Sequence, residues 1–291
     1  MTTADMAKSS APSVDTAEVV RAGDTRSKDR RAAARIRRRR QLRRTLLSSL
    51  TGLAFLACWQ GAVAIRLLKP IQVSSPSRII QTLGDMLSDG SLMSNLGISA
   101  REFAVGYVIA LVVAVPLGVA IGWYGVLRDM FEPLLAFFNA VPYVTLLPVF
   151  VIWFGLGAHS TMACVAMGAF FPIVTNTMAG ISSVDSTLVK CARAFGARDL
   201  QFFRTVALPS AIPFIASGVR LSVATALIAT IVGELYASNS GLGYMIANAG
   251  IAFQTDKVMA GIVVVATIGV ILTGITRRIE RHFQKWRPAA D

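Results

Sequence analysis

An all-α integral membrane protein of about six transmembrane helices is the fold class this sequence predicts, and three observations carry that expectation. Hydrophobic residues make up 54% of the chain and charged residues only 15%, whereas a soluble domain carries about a quarter charged residues. The mean hydropathy is +0.59. The apolar residues come in uninterrupted blocks rather than amphipathic stripes, and a helix crossing the bilayer core needs about 20 of them. The basic residues are segregated to one side of those blocks.

Taken in order, residues 1–44 are rich in Ser, Ala, Thr and charge, and predict a disordered basic cytoplasmic tail. The first span is expected over Leu46–Leu68, with Arg66 and Lys69 at its far end. Pro70 and Ser74-Ser75-Pro76-Ser77 open a polar stretch, and a short amphipathic helix follows at Arg78–Leu87. The second span, Phe103–Gly122, carries no charge. A turn with Arg128, Asp129 and Glu132 leads to a third block at Leu134–Gly157, and Gly155–His159 separates that from a fourth at Ser160–Ile181. A charged loop, 182–210, precedes a fifth block at Ala211–Glu234. Leu235–Phe253 is uncharged, but Ser238-Asn239-Ser240-Gly241-Leu242-Gly243 is turn chemistry, so it reads as an external or re-entrant segment. The sixth span is Val258–Thr276, and a basic tail, Arg277–Arg287, ends the transmembrane domain of 45–287; only residues 288–291 follow. Pro116, Pro142, Pro148 and Pro172 fall inside spans. There a lost backbone donor must be answered by neighbouring helices or a water-filled cavity. That suits a transport protein, and simple kinking of membrane helices accounts for it equally.

Six spans put both termini on one side. Of the 29 Lys and Arg, thirteen precede residue 45, and 23 fall in the segments then assigned to the cytoplasm; Arg66, Lys69, Arg78 and Lys257 fall outside. Both termini are therefore expected in the cytoplasm of a multi-pass inner-membrane protein. The net charge of +13 is no sign of nucleic acid, because the run Arg35–Arg44 abuts a membrane helix, where anionic lipid attracts it. Arg43-Arg44 faintly resembles a twin-arginine signal, yet reads better as the flank of the first span. Cys58, Cys164 and Cys191 have no metal-ligand spacing and predict neither a disulfide framework nor a zinc site.

The loop carries the most information. From Asp185 it reads DSTLVKCARAFGARDLQFFRTVALPSAIP. Asp185 or Ser186 can cap a helix whose Leu188, Ala192 and Phe195 share one face. Gly196 stands where a glycine would close that helix in a left-handed conformation. A second short helix, Asp199–Val206, should follow, with Leu208-Pro209 leading into the fifth span. Its apolar face (Phe195, Leu200, Phe203) needs a partner to cover it, so the loop reads as a docking element.

At Ala192…Gly196…Leu208-Pro209 the sequence resembles the "EAA" loop of permease subunits in binding-protein-dependent ABC importers, and most of all their nitrate/sulfonate/taurine branch. The likeness extends over about 70–287. It includes Arg101-Glu102-Phe103, Gly106 and Pro116-Leu117-Gly118, then Ala140-Val141-Pro142, Leu146-Leu147-Pro148 and Trp153-Phe154-Gly155-Leu156-Gly157. Phe170-Phe171-Pro172, Asn176-Thr177, Gly233-Glu234 and Gly241-Leu242-Gly243-Tyr244 complete it. The motif's opening Glu is Lys190 here and its first Ala is Cys191, which reverses one charge at the expected ATPase contact; the tail 1–44 has no counterpart.

The resemblance implies a type I ABC-importer (MetI-like) permease fold in a bacterial inner membrane and a homodimer of this chain. It implies cytosolic ABC ATPase subunits below and an external solute-binding protein above. Residues Lys190, Cys191, Ala192, Gly196, Ala197, Arg198, Asp199, Phe202, Leu208 and Pro209 would form the ATPase-docking loop. ATP and Mg would belong to the partner ATPase, since this chain has no Gly-x-x-x-x-Gly-Lys-Ser/Thr phosphate loop and no cofactor of its own is expected. The polar residues in or near spans, Asn139, Asn176, Arg220 and Glu234, are the candidates for a translocation path. Arg220 would suit an anionic solute, or would pair with a neighbouring backbone or snorkel to the cytoplasmic edge; Glu234 sits at a span's outer end, where ionisation costs little and a structural or gating role is equally open. The competing classes are a membrane enzyme and a stand-alone secondary transporter. His159 and His282 fall at opposite faces and no catalytic constellation appears; nor are duplicated halves evident.

Overall fold

The computed structural model describes residues 43, 46–65, 67, 72–184, 190–192 and 194–283. The tail expected over 1–44 (Arg43 aside), Arg66, Lys69, 185–189, Arg193 and 284–291 lie outside the described residues. Two units are distinguished, one ending at Ala62 and one beginning at Val63. Almost all of α1 (Leu46–Ala64) belongs to the first. It is a run of strong helix formers, with Phe55 and Trp59 one turn apart at a ring separation of 6.2 Å.

In the second unit, α2 (Pro76–Ser88) is the short amphipathic helix the sequence predicts. Ser75 caps it by accepting from the Arg78 N–H, Pro76 starts its first turn, and Ile79 and Met86 are its buried stripe. The helix α3 (Ser91–Trp123) begins twelve residues before the expected span; its 33 residues extend about 50 Å, well beyond a hydrocarbon core of about 30 Å. It is followed by α4 (Gly125–Ala140), a 3₁₀ turn (Tyr143–Leu146), α5 (Leu147–Phe154) and α6 (Ala158–Ser182). Then come α7 (Asp199–Phe202), a π-turn (Phe203–Ala207), α8 (Leu208–Ala237), α9 (Leu242–Ile251) and α10 (Thr255–Phe283). Among the described residues every regular element is helical. Among the described residues five helices are long and apolar enough to cross a membrane, or six spans if one bent pair is counted as a span.

That bent pair corrects the third block. Leu134–Gly157 is not one helix: Gly125–Ala140 and Tyr143–Phe154 meet at 85°. Arg128, Asp129 and Glu132 lie inside α4 rather than in a turn. The cause is local. Val141 is extended at ψ 123, as the residue before a proline prefers, and Pro142 has no N–H with which to continue α4. The Tyr143 hydroxyl donates to the Thr225 carbonyl of α8 at 3.0 Å, pinning the break to the bundle.

The bundle core is α3 on α6 and α6 on α8. Along α3 the buried small residues Gly106, Ala110, Ala114, Gly118 and Gly122 recur every fourth position. This is the small-xxx-small spacing that lets membrane helices approach at backbone distance. A Cβ on Gly106 would lie 2.5 Å from the Met162 carbonyl, and one on Gly118 would lie 2.7 Å from Thr177 Cβ. Gly180 and Gly218 serve the α6–α8 contact in the same way. Without a hydrophobic drive between helices in lipid, such close van der Waals packing supplies the cohesion.

Leu235–Phe253 is not a single element: Leu235–Ala237 complete α8. After the turn at Ser238–Gly241 the segment forms the ten-residue α9, whose Leu242, Gly243 and Ala249 are buried.

Candidate functional site

The described part of the loop contains a helical segment ending at Gly196, where φ is +76. Ala197 N–H donates to the Ala192 carbonyl at 3.0 Å and Phe195 N–H to the Cys191 carbonyl at 3.1 Å. The first bond spans six residues, as in a Schellman closure, so glycine is needed at 196 for its backbone alone: nothing lies within 4 Å of where its Cβ would be. The proposed helix start at Asp185 or Ser186 lies outside the described residues.

The second half differs from expectation. Asp199–Val206 is not a separate helix. Asp199–Ala237 is one continuous helical rod of 39 residues, so the second half of the loop and the fifth span are a single helix. Pro209, which lacks the N–H that would bond back to Thr205, lies in the first turn of α8, and the five residues Phe203–Ala207 widen into a π-turn. The apolar face is also divided. Phe195 is 92% and Leu200 61% exposed, whereas Phe202 is buried and Phe203 stands edge-on to Trp123 at 5.0 Å. Trp123 ends α3, so the rod's lower part is held against the end of α3. Beside this contact is a cavity of about 380 Å³ lined by Trp123, Arg128, Ala192, Ala197, Asp199 and Phe202. Arg128 Nη2 donates to the Gly122 carbonyl at 2.6 Å, capping the C-terminal end of α3. Lys190, Cys191, Gly196, Arg198 and Asp199 are exposed, while Ala192, Ala197, Leu208 and Pro209 are half-buried.

The four polar residues proposed for the path do not converge. Asn139 is exposed near the end of α4. Asn176 donates to the Pro172 carbonyl of its own helix at 2.8 Å, a bond made within α6. Arg220 Nε lies 2.6 Å from Glu280 Oε2, and Ser217 donates to Glu280 Oε1 at 2.8 Å. The guanidinium thus finds a charged partner on α10; sequence reading placed Glu280 in the basic tail and missed it. Its signal was present, as the acid among Arg277, Arg278 and Arg281. Glu234 also corrects expectation. It is fully buried within protein rather than near water, and its Oε2 accepts from the Gly243 N–H at 2.7 Å. Around it, Leu242 N–H donates to Ser99 Oγ at 2.9 Å and Gly241 N–H to Asn95 Oδ1 at 3.0 Å. Ser99, Asn95 and buried Glu102, all on α3, were not singled out as a site by the sequence.

An all-α bundle with a bent helix pair is joined by one continuous helix to an exposed loop. The chain belongs to the family described as "Binding-protein-dependent transport system inner membrane component", which matches residues 114–285. It is 34% identical over 232 residues to the putative aliphatic sulfonates transport permease protein SsuC of Bacillus subtilis (strain 168), covering 80% of this chain and 84% of that one. It is 29% identical over 249 residues to the taurine transport system permease protein TauC of Escherichia coli (strain K12), covering 84% and 90%. The fold matches a chain of the MetNI methionine ABC transporter in an inward-facing conformation, with TM-score 0.58, 17% identity, and coverage of 67% of this chain and 97% of that one. The chain is therefore a permease subunit of the ABC-importer type, a multi-pass membrane transport protein rather than an enzyme.

Proposed function

We propose that this chain forms the translocation pore for a small organic anion of the sulfonate class, delivered by an external binding protein and driven by separate cytosolic ATPase subunits. The solute class rests on the relatives named for aliphatic sulfonates and taurine. Two copies would enclose the pore, with both termini in the cytoplasm, as the segregation of basic residues favours. ATP and Mg would be held by the ATPase.

The observation that carries the reading is the continuity of Asp199–Ala237. A docking segment built into the same rod as a span converts movement of an attached ATPase into movement of the bundle. Exposed Phe195 and Leu200 would seat in the ATPase, with Lys190, Cys191, Ala192, Gly196, Ala197, Arg198 and Asp199 around them and Phe202, Leu208 and Pro209 fixing the segment to the bundle. ATP binding would draw two such loops together and open the pore outward; hydrolysis would reset it. Lys190, in place of the family's Glu, would seek an acidic rather than a basic contact. Of the path candidates, Asn139 beside the helix break would meet solute. Asn176, Arg220 and Glu234 would shape the path through the bonds described above.

The test is uptake by proteoliposomes containing this chain with its ATPase. Phe195→Asp changes a side chain that is 92% exposed, so the bundle should remain intact while ATPase co-purification and uptake are lost. Retention of both would refute the docking assignment. Competition by taurine, alkanesulfonates and nitrate tests the solute class separately.

A further inference from the structure

Away from the loop, α3, α5 and α6 border a groove of about 690 Å³, within the range of about 300–1,000 Å³ usual for small-ligand sites. Its two long walls follow one pattern. Along α3, Arg101, Val105, Ile109 and Val113 line it at every fourth position, the spacing of a single helix face. Along α6, His159 heads a face that continues through Ala163, Ala166 and Phe170. Each wall begins with a nitrogen-bearing side chain and is apolar from there on. From Arg101 to Val113 is about 18 Å of helix, a little more than one leaflet of a hydrocarbon core about 30 Å thick.

The polar end of the groove lies at the membrane boundary. The uncharged block Phe103–Gly122 starts just after Arg101, and His159 stands in the first turn of α6. Trp153 of α5 lines the same groove and is 68% exposed; such rings favour the headgroup level. Arg101 and His159 are both exposed, and among the described residues neither side chain has an ion-pair or hydrogen-bond partner. No described Asp or Glu lines the groove, and neighbouring Glu102 is turned inward, 1% exposed. An apolar solute would leave Arg101 and His159 unanswered, and a free anion would leave the apolar walls bare. A second copy of this chain, meeting this face through a two-fold axis, would bring two Arg101 charges to the same end of the contact with no lining acid to answer them. The membrane itself supplies a partner that suits both parts of the groove, a lipid with an acyl chain and a negative headgroup.

We propose that this groove holds an acyl chain of an anionic phospholipid whose phosphate is bound by Arg101 and His159. Arg101 supplies the charge and a forked set of donors, and His159 donates from a ring N–H in either protonation state. The acyl chain fills a hollow that would otherwise be poorly packed, because within a bilayer the gain comes from van der Waals contact rather than from leaving water. Shape retains the acyl chain, and charge selects the headgroup.

The test is native mass spectrometry of the full chain released from nanodiscs of phosphatidylglycerol and phosphatidylcholine in equal parts, with the same acyl chains. Phosphatidylglycerol should be retained over phosphatidylcholine by about fivefold, the effect of roughly one cation at a headgroup surface. Arg101→Gln combined with His159→Gln should abolish that preference and leave retention of phosphatidylcholine as it was. Arg78→Gln combined with Lys257→Gln removes exposed cations that line a different cavity and should leave the preference intact. Ala163→Phe, which fills the groove, should lower retention of both lipids; should it misfold, Val105→Trp on the exposed wall takes its place. Equal retention of the two lipids by the wild type would overturn the proposal. So would a preference that survives the loss of Arg101 and His159, or one lost equally with Arg78 and Lys257, or unchanged retention when the groove is filled. Ready disulfide cross-linking of two copies through Ile109→Cys, in a background of Cys58→Ser and Cys191→Ser, would mean that a second copy covers this face and would overturn it too.

Discussion

Two glycines with positive φ, Gly196 at one end of the molecule and Gly241 at the other, show how differently its two ends are built. At Gly196, φ is +76 and nothing lies within 4 Å of an added Cβ; at Gly241, φ is +99 and an added Cβ would enter the Glu234 carboxylate. The first glycine answers to backbone conformation only, so its surroundings remain open, with Phe195 almost fully exposed. The second answers to conformation and space together, because a turn is pressed onto a buried carboxyl. One end is left open to its surroundings, and the other is already closed by the chain itself. The rod Asp199–Ala237 joins them.

The sharpest way to break this contrast is at the packed core. Gly106→Leu drives a side chain into the Val165 side chain and into the Met162 carbonyl, backbone that cannot yield, and should cost about 3 kcal/mol or more. A collapse of folded yield and a large fall in thermal midpoint would be the readout. Next is the α8–α10 pair. Glu280→Ala strands Arg220 and Ser217 and should cost about 2 kcal/mol, less than a fully buried pair because Arg220 is part-exposed; Glu280→Gln, keeping a partner for Ser217, should cost less. Thermal unfolding in detergent distinguishes the two variants.

Gly196→Ala should cost about 1 kcal/mol of local left-handed strain without moving the midpoint of the bundle. Faster amide exchange at Ala197 would reveal it. If Gly196→Ala destabilised the molecule as much as Gly241→Ala, the open-versus-closed distinction would be wrong. The smallest effect lies in the turn between α2 and α3. Exposed Asp89 accepts from Ser91 N–H at 2.8 Å, and hydrogen bonding by Ser91, side chain first and backbone second, holds its carboxyl below the usual aspartate value. A depressed folded-state value means that this contribution is present above the ordinary aspartate range and lost as the pH falls through the folded one. Ser91 amide exchange should quicken only under acid, and Asp89→Asn should remove most of that dependence.

Much of the architecture was legible because lipid imposes simple rules. Length and hydropathy marked the spans. The helix expected at Arg78–Leu87 lies within α2, whose cap at Ser75 was read only as part of a polar stretch, and Gly196 marked a helix end by the same chemistry that closes it in the structure. The third span misled because its hydropathy is continuous while its backbone is not; Pro142 was visible, but an 85° bend depends on Tyr143 being held by α8. The expected boundary between docking helix and fifth span failed for the opposite reason: Pro209 was read as a separator, yet the chain passes it by widening into a π-turn. The small residues at every fourth position of α3 were a readable signal for the α6 contact.

The sequence by itself determined that this chain lives in a membrane, where its apolar blocks lie, and which family its loop resembles, because hydropathy and turn chemistry act over a few neighbouring residues. Only the tertiary structure decided that Arg220 faces Glu280, that Glu234 is sealed beside Ser99 under the Gly241–Gly243 backbone, and that the loop and fifth span are one rod. Those outcomes depend on which helices lie side by side, and partners 60 to 135 residues apart leave no local trace of their meeting.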